Sequence, residues 1–173
     1  MSKILAFSGS NSSTSINHEL LQFVQHTFKL SEMEIISLKS LEIPMYGIDT
    51  EKENGIPKTI SELASKINDA TQLMIASPEH NGSMTSYLKS TLDWLSRLDK
   101  DLLKGKQVFL LGTSPGRGGA LGSIEQLKKL IIRLGGEVRA EFSLPSYGFA
   151  FENGKLIAEY SVKLNDFVSN LNK

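Results

Sequence analysis

The stretch Ala76 to Arg97 reads ASPEHNGSMTSYLKSTLDWLSR. It follows directly on an apolar run, Leu73-Met74-Ile75-Ala76. Ser77-Pro78-Glu79-His80-Asn81-Gly82 breaks that run, with Asn81-Gly82 a strong turn signal. Apolar spacing of three and four then returns at Met84, Leu88, Thr91, Leu95 and Leu98, which predicts a helix. A buried strand, a polar loop and a helix make one α/β unit. In open α/β sheets ligands bind where loops leave the carboxyl ends of strands.

Outward from this unit the pattern repeats. Ile4 to Phe7, Glu34 to Leu38, Gln72 to Ala76, Val108 to Leu111 and Glu137 to Phe142 read as five strands. Helical spacing fills the intervals, from near Ser15, after Pro57, from Met84, from Ile124 to Leu134 and around Leu164 to Leu171. Leu41 to Asn54 has no periodicity and reads as a loop. Strands alternating with helices predict a doubly wound parallel sheet with helices on both faces. Five units suit the flavodoxin-like order 2-1-3-4-5, in a single domain over residues 1–173.

Composition excludes several classes. The 173 residues carry no net formal charge, which argues against nucleic-acid or membrane partners. With no cysteine there is no disulfide, thiolate metal site or catalytic thiol, and three scattered histidines make a poor metal-ligand set. The N-terminus lacks a signal-peptide pattern, so a cytoplasmic protein is expected.

Three loops leave the first, third and fourth strands, so all lie on one edge of a parallel sheet. The first, Ser8-Gly9-Ser10-Asn11-Ser12-Ser13-Thr14-Ser15, carries six hydroxyls in eight residues before a helix N-terminus, more than a cap needs. Helix N-termini attract phosphate. The second offers Glu79, His80 and Asn81. Such a pair is more often a solvated or hydrogen-bonded loop than a general base, and His80 is the better candidate for shaping a pocket. The third, Ser114-Pro115-Gly116-Arg117-Gly118-Gly119, is glycine-rich, but Gly116, Gly118 and Gly122 miss the dinucleotide G-x-G-x-x-G spacing by one residue.

Taken together these residues resemble the flavodoxin-like NAD(P)H-dependent FMN reductase family. The matching segments are Gly9-Ser10…Ser15…Asn17, Pro78-Glu79-His80-Asn81-Gly82-Ser83, Leu92-Asp93-Trp94-Leu95-Ser96-Arg97 and Ser114 to Gly119. The resemblance covers nearly the whole chain. It implies that Ser10, Ser12, Ser15, Ile16 and Asn17 hold an FMN phosphate, and that the other two loops hold the flavin ring. It implies NADPH or NADH as co-substrate and a small second acceptor: quinone, azo compound, free flavin or metal oxyanion. No catalytic side chain is then expected, since the flavin does the chemistry. Ser12 stands where the family has arginine, and His80 where it has tyrosine.

Two rivals accompany this reading. Gly112-Thr113-Ser114-Pro115-Gly116 fits the G-x-S-x-G elbow of a serine hydrolase. Against it, Pro115 has no N–H for an oxyanion hole, and His18, His26 and His80 all precede the serine. A flavodoxin-type electron carrier would bind the same cofactor, but its acidic surface is not matched by balanced charge. A homodimer is also expected: from Met84 to Leu98 the apolar arc spans about 160°, with Tyr87 and Trp94 at one edge.

Overall fold

A computed structural model describes residues 3–172. Five parallel strands form the sheet: β1 (Ile4–Ser8), β2 (Met33–Ser37), β3 (Gln72–Ala76), β6 (Gln107–Thr113) and β7 (Glu137–Leu144). Two short antiparallel pairs complete the strand set, β4 (Glu79–His80) with β5 (Ser83–Met84) and β8 (Phe151–Glu152) with β9 (Lys155–Leu156). The order β2-β1-β3-β6-β7 is the expected one. Registers align the carboxyl ends, pairing Ser8 with Ala76 and Ala76 with Leu111. The loops that follow therefore start level with one another.

Strand alternation divides the core. Leu5, Phe7, Leu73, Ile75, Val108 and Leu110 face one side and pack on α3 (Lys58–Asp69), α4 (Ser86–Leu98) and α5 (Leu121–Arg133). Ala6, Met74, Phe109 and Leu111 face the other and pack on α1 (Ile16–Thr27) and α6 (Ala158–Ser169). Full burial of such side chains contributes about 1.5–3 kcal/mol each, which is why the central strands read as unbroken apolar runs. β7 sits at the edge, and its register slips by one residue where Val138 is followed by Ala140 opposite Val108-Phe109.

The structure corrects three readings. Ile48–Asn54 is a helix, α2, not part of a loop. It has no buried residue, so it shows no apolar period; Tyr46 and Arg97 instead hold its Glu51 carboxylate at 3.0 and 2.9 Å. Helix α4 begins at Ser86, after Thr85, and Met84 belongs to β5. The third concerns the wide apolar arc. Trp94 is fully buried, donates its indole N–H to the Pro44 carbonyl at 2.9 Å and meets Tyr46 edge to face. Tyr87 donates to the Leu38 carbonyl at 2.7 Å. Segment 38–46 of the same chain covers the arc, so those aromatics are no argument for a second subunit.

Candidate functional site

The three loops meet in one cleft of about 260 Å³. Ser10, Ser12, Ser15, Ile16 and Asn17 line it from the first loop and helix, Pro78, Glu79 and His80 from the second loop, and Ser114 and Pro115 from the third. Thr14 and Thr113 join them; Thr113 was hidden because β6 runs two residues beyond its apolar stretch. Asn81, Gly82, Ser83, Gly116, Arg117, Gly118 and Gly119 lie on the same loops but outside that lining.

Each loop has a local reason for its shape. In the first, hydroxyl oxygens accept from the backbone: Ser10 from Ser12 N–H at 3.1 Å, Ser12 from Thr14 N–H at 3.2 Å, Ser15 from His18 N–H at 3.2 Å. Serine side chains turn a chain this way. The oxygens are satisfied while the protons remain to donate, because the hydroxyl pairs Ser12–Thr14 and Ser8–Ser15 are long at 3.4 Å. Ser15 also caps α1, whose first N–H groups, on Ile16 and Asn17, have no intrahelical acceptor. This end of the cleft thus offers the Ser10, Ser12 and Ser15 hydroxyls beside the free N–H groups of a helix N-terminus. A phosphate needs that surface, so the residues fit an FMN phosphate without the arginine.

Asn17 has a second duty. Its carboxamide is buried, donates to the Thr113 carbonyl and accepts from the Thr113 N–H, both at 3.0 Å. It therefore ties the start of α1 to the end of β6, and its oxygen and one N–H are committed there.

The second loop is a two-residue hairpin. Asn81 and Gly82 both have positive φ, 53° and 74°, the mark of a type I′ turn. Asn-Gly between the two short strands was the sequence signal for it. Helix α5 holds the hairpin: Ser83 Oγ donates to Gln126 Oε1 at 2.7 Å, and Gln126 donates to the Gly82 carbonyl at 3.2 Å. Gly122 permits the approach, since a Cβ there would lie 2.8 Å from the Gly82 oxygen.

Glu79 is the residue whose place sequence could not give. Helix α5 starts after Ala120, which offers no capping side chain. Glu79 Oε2 accepts from Ser123 N–H at 3.1 Å and supplies the missing cap from 44 residues away. A carboxylate here is favoured by the helix dipole. Ser123 Oγ bonds the Pro78 carbonyl at 2.8 Å and also pairs with buried Ser77 Oγ, fixing the loop's first half. His80 is exposed, and no described group hydrogen-bonds its ring.

Segment 143–147 braces the third loop. Ser146 and Tyr147 N–H groups donate to the Gly116 and Ser114 carbonyls at 2.8 and 3.0 Å. Tyr147 hydroxyl reaches Glu19 Oε2 on α1 at 2.9 Å. Burial first, then that carboxylate, pushes the Tyr147 phenol up to about 12. Ser114 spends its own hydroxyl proton on the Gly116 carbonyl at 3.0 Å. With no histidine bonded to it and Pro115 next in line, the serine-hydrolase reading has no nucleophile and no oxyanion donor.

Known proteins share this architecture. A family model described as NADPH-dependent FMN reductase matches residues 2–147. An Escherichia coli quinone reductase is 36% identical over 105 residues, 60% of this chain and 56% of that protein. The chain thus spans little more than half the length of that relative. A Pseudomonas aeruginosa NAD(P)H-dependent FMN reductase is 32% identical over 133 residues, 76% of this chain and 70% of that one. Among solved structures, the flavoenzyme NAD(P)H:(acceptor) oxidoreductase FerB from Paracoccus denitrificans superimposes with TM-score 0.74 at 26% identity, covering 99% of this chain and 98% of that one. A Fusobacterium nucleatum flavodoxin, at 17% identity and TM-score 0.60 over 99% and 98% of the two chains, shares the fold alone. A match through most of the sheet and all three loops has one meaning: the chain belongs to the NADPH-dependent FMN reductase family.

Proposed function

We propose that this chain, as one flavodoxin-like domain, binds FMN across the three loops and uses NADPH or NADH to reduce a small acceptor. The observation that carries the reading is the single cleft shared by all three loops, with hydroxyls and a helix N-terminus at the α1 end and Pro78 and Pro115, which have no N–H, at the other. Bound there, FMN would supply the chemistry, taking a hydride from the nicotinamide and passing electrons on. The protein's own residues bind and orient. Ser10, Ser12, Ser15 and the Ile16 and Asn17 N–H groups hold the phosphate end. Pro78, His80, Ser114 and Pro115 shape the ring end, and Glu79 keeps that wall in place from behind. The exposed Gly116-Arg117-Gly118 stretch, with Gly119 behind it, and the Asn81-Gly82-Ser83 tip stand at the rim, where the co-substrate and acceptor arrive. No side chain moves a proton.

Quinone is the acceptor to test first, because the Escherichia coli relative is a quinone reductase. A cytoplasmic homodimer belongs to the same proposal. Met45, Ile48 and Leu98 stay exposed on the segment, helix α2 and helix α4 that Tyr46 and Arg97 join, an apolar surface a second copy could cover. No described helix is long and apolar enough to cross a membrane. The test is the absorption spectrum of the purified protein, then NADPH and NADH oxidation by FMN-saturated protein with a quinone. Oxidation no faster than a free-flavin blank overturns the reading.

A further inference from the structure

Strand β7 ends the sheet, with β6 on one side and no described strand on the other. A groove of about 690 Å³ runs along that free edge, between α5 and α6. Both helices stop short of the edge. Helix α5 packs on β6 and β7 together, and the Phe167 ring of α6 lies 6.0 Å from both Phe109 and Phe142. Each helix therefore sits over the gap between the last two strands. An open sheet edge offers unpaired N–H and C=O groups to another strand, and charge of one sign keeps such strands apart. Strand β7 carries charge of alternating sign instead: Glu137, Arg139 and Glu141. Beside it, Leu121, Glu125, Lys128 and Ile132 of α5 fall within about 60° of one another around the helix. Leu121 lines the groove, and Lys128 Nζ reaches Glu141 Oε1 at 2.6 Å. Leu121 and Ile132 remain 52% and 54% exposed, an unusual loss for two large apolar side chains on one stripe.

We propose that this groove receives a second copy of the chain, the two β7 edges meeting antiparallel across a two-fold axis at Ala140. The charges choose that register. About Ala140, Arg139 of each copy faces Glu141 of the other, so both contacts attract. Moving the axis one residue either way sets Arg139 or Glu141 against itself. Moving it to Val138 leaves three residues overlapping, because β7 begins at Glu137. The α5 stripe points to the same axis independently. Laid antiparallel on a copy of itself, it pairs Leu121 with Ile132 and Glu125 with Lys128, about a midpoint between residues 126 and 127. Glu125 has no ion pair among the described residues, so its carboxylate is free to meet that ammonium. The two midpoints lie level. Ser143 Oγ donates to the Gly119 carbonyl at 2.8 Å. From Ser143 to Ala140 the strand covers about 10 Å, the rise of about seven helical residues, which leads from Gly119 to residue 126. Lateral spacing fits as well. Strands lie about 4.8 Å apart, and α5 sits half a spacing inside β7, so the two α5 axes come within about 10 Å, a helix-packing distance. The register slip at Val138 keeps the strand ladder short, so the helix stripe carries much of the contact. Met45, Ile48 and Leu98 lie on other elements, so this face is a second self-contact beyond the one proposed above.

Ala140 provides the test, since it lies opposite itself in the pair and the chain has no cysteine. Antiparallel partners have Cα atoms about 4.5–5.5 Å apart, within the reach of a disulfide. Ala140→Cys should therefore form a covalent dimer under mild oxidation, seen on a non-reducing gel at micromolar protein. Adding Arg139→Glu sets like charges across the axis and should lower the linked fraction about tenfold. Adding Glu141→Arg to that variant exchanges the two signs and should restore it. On the helix, Ile132→Asp in the cysteine-free chain should halve the mass found by sedimentation, and its exposed position leaves the fold intact. Absence of the covalent dimer, a yield indifferent to Arg139→Glu, or a double reversal no better than the single one overturns the inference. So does an Ile132→Asp protein of unchanged mass. None of these readouts uses flavin or nicotinamide, so they judge the groove whatever becomes of the oxidoreductase reading.

Discussion

Helices α1 and α5 both open at the carboxyl edge of the sheet, and they solve the same problem in opposite ways. Helix α1 is capped by its own Ser15, a neutral residue, and its first N–H groups face the cleft loop. Helix α5 has no cap of its own and takes the Glu79 carboxylate from another loop. A helix end already holding a protein carboxylate has little left for a phosphate. One end is thereby kept for a ligand's charge, and the other is used to build the wall beside it.

The largest effect should come from forcing the borrowed cap away. Gly122→Ala would place a methyl 2.8 Å from the Gly82 oxygen and 3.2 Å from Glu79 Oε2. Overpacking at so tight a place should cost about 3 kcal/mol and lower the melting temperature by about 10 °C. A shift under 2 °C would mean that the hairpin is not seated on α5. Next, Glu79→Ala removes the cap but leaves the packing, at about 2 kcal/mol, with Glu79→Gln recovering roughly half because an acceptor remains. If thermal melts rank the two equally, the carboxylate is not capping the helix.

The α1 end is probed with charge. Ser12→Arg should tighten FMN about tenfold, leave riboflavin within twofold, and lose part of the gain in high salt. Gly118→Arg is the control at the other helix. A Cβ at Gly118 would lie 3.9 Å from Glu79 Oε1, so an arginine there meets a carboxylate and should not tighten FMN. Fluorescence titrations in which Gly118→Arg outperforms Ser12→Arg would reverse the assignment of the two ends.

Tyr147 offers a pH test on α1. Its phenol titrates near 10 in the unfolded chain and at about 12 in the fold, through burial and Glu19. A raised value means the neutral phenol stabilises the fold fully below pH ~10 and that this contribution is lost as pH rises through about 12. Wild type should therefore exceed Tyr147→Phe in stability at pH 8, by about 1 kcal/mol, and the gap should close across that window. A gap that persists at the alkaline end would exclude the Glu19 bond as its source. Smallest of all, His80→Tyr should keep the rate of flavin reduction within tenfold; a fall beyond 10²-fold would mark proton transfer by His80.

Much of this was legible beforehand, for a physical reason. Central strands buried on both faces must be apolar throughout, so Ile4–Phe7, Leu73–Ala76 and Val108–Leu111 announce themselves. Asn81-Gly82 and the run of serines are local signals for local turns. Contacts that close over long separations leave no such mark. Nothing near Asn17 points to Thr113, 96 residues on, and nothing near Tyr147 points to Glu19, 128 residues back. Helix α2 was missed because its residues turn to water and its anchor, Arg97, lies 46 residues away. The apolar arc of α4 misled in the other direction: its width reflects a covering segment of the same chain, which spacing along one helix does not register.

Thr85 deserves a last consequence. Its oxygen caps α4, accepting from Leu88 N–H at 3.0 Å, while its proton goes to the Gly9 carbonyl at 2.6 Å. One hydroxyl thus rivets the start of the serine loop to the helix that follows the hairpin. The span between the two ends of the cleft is a gauge cut into the protein, set before any ligand arrives, so binding pays little to order it. Substitutions at the two ends, such as serine at 12 or histidine at 80, retune what each end prefers without altering the length of molecule that fits between them.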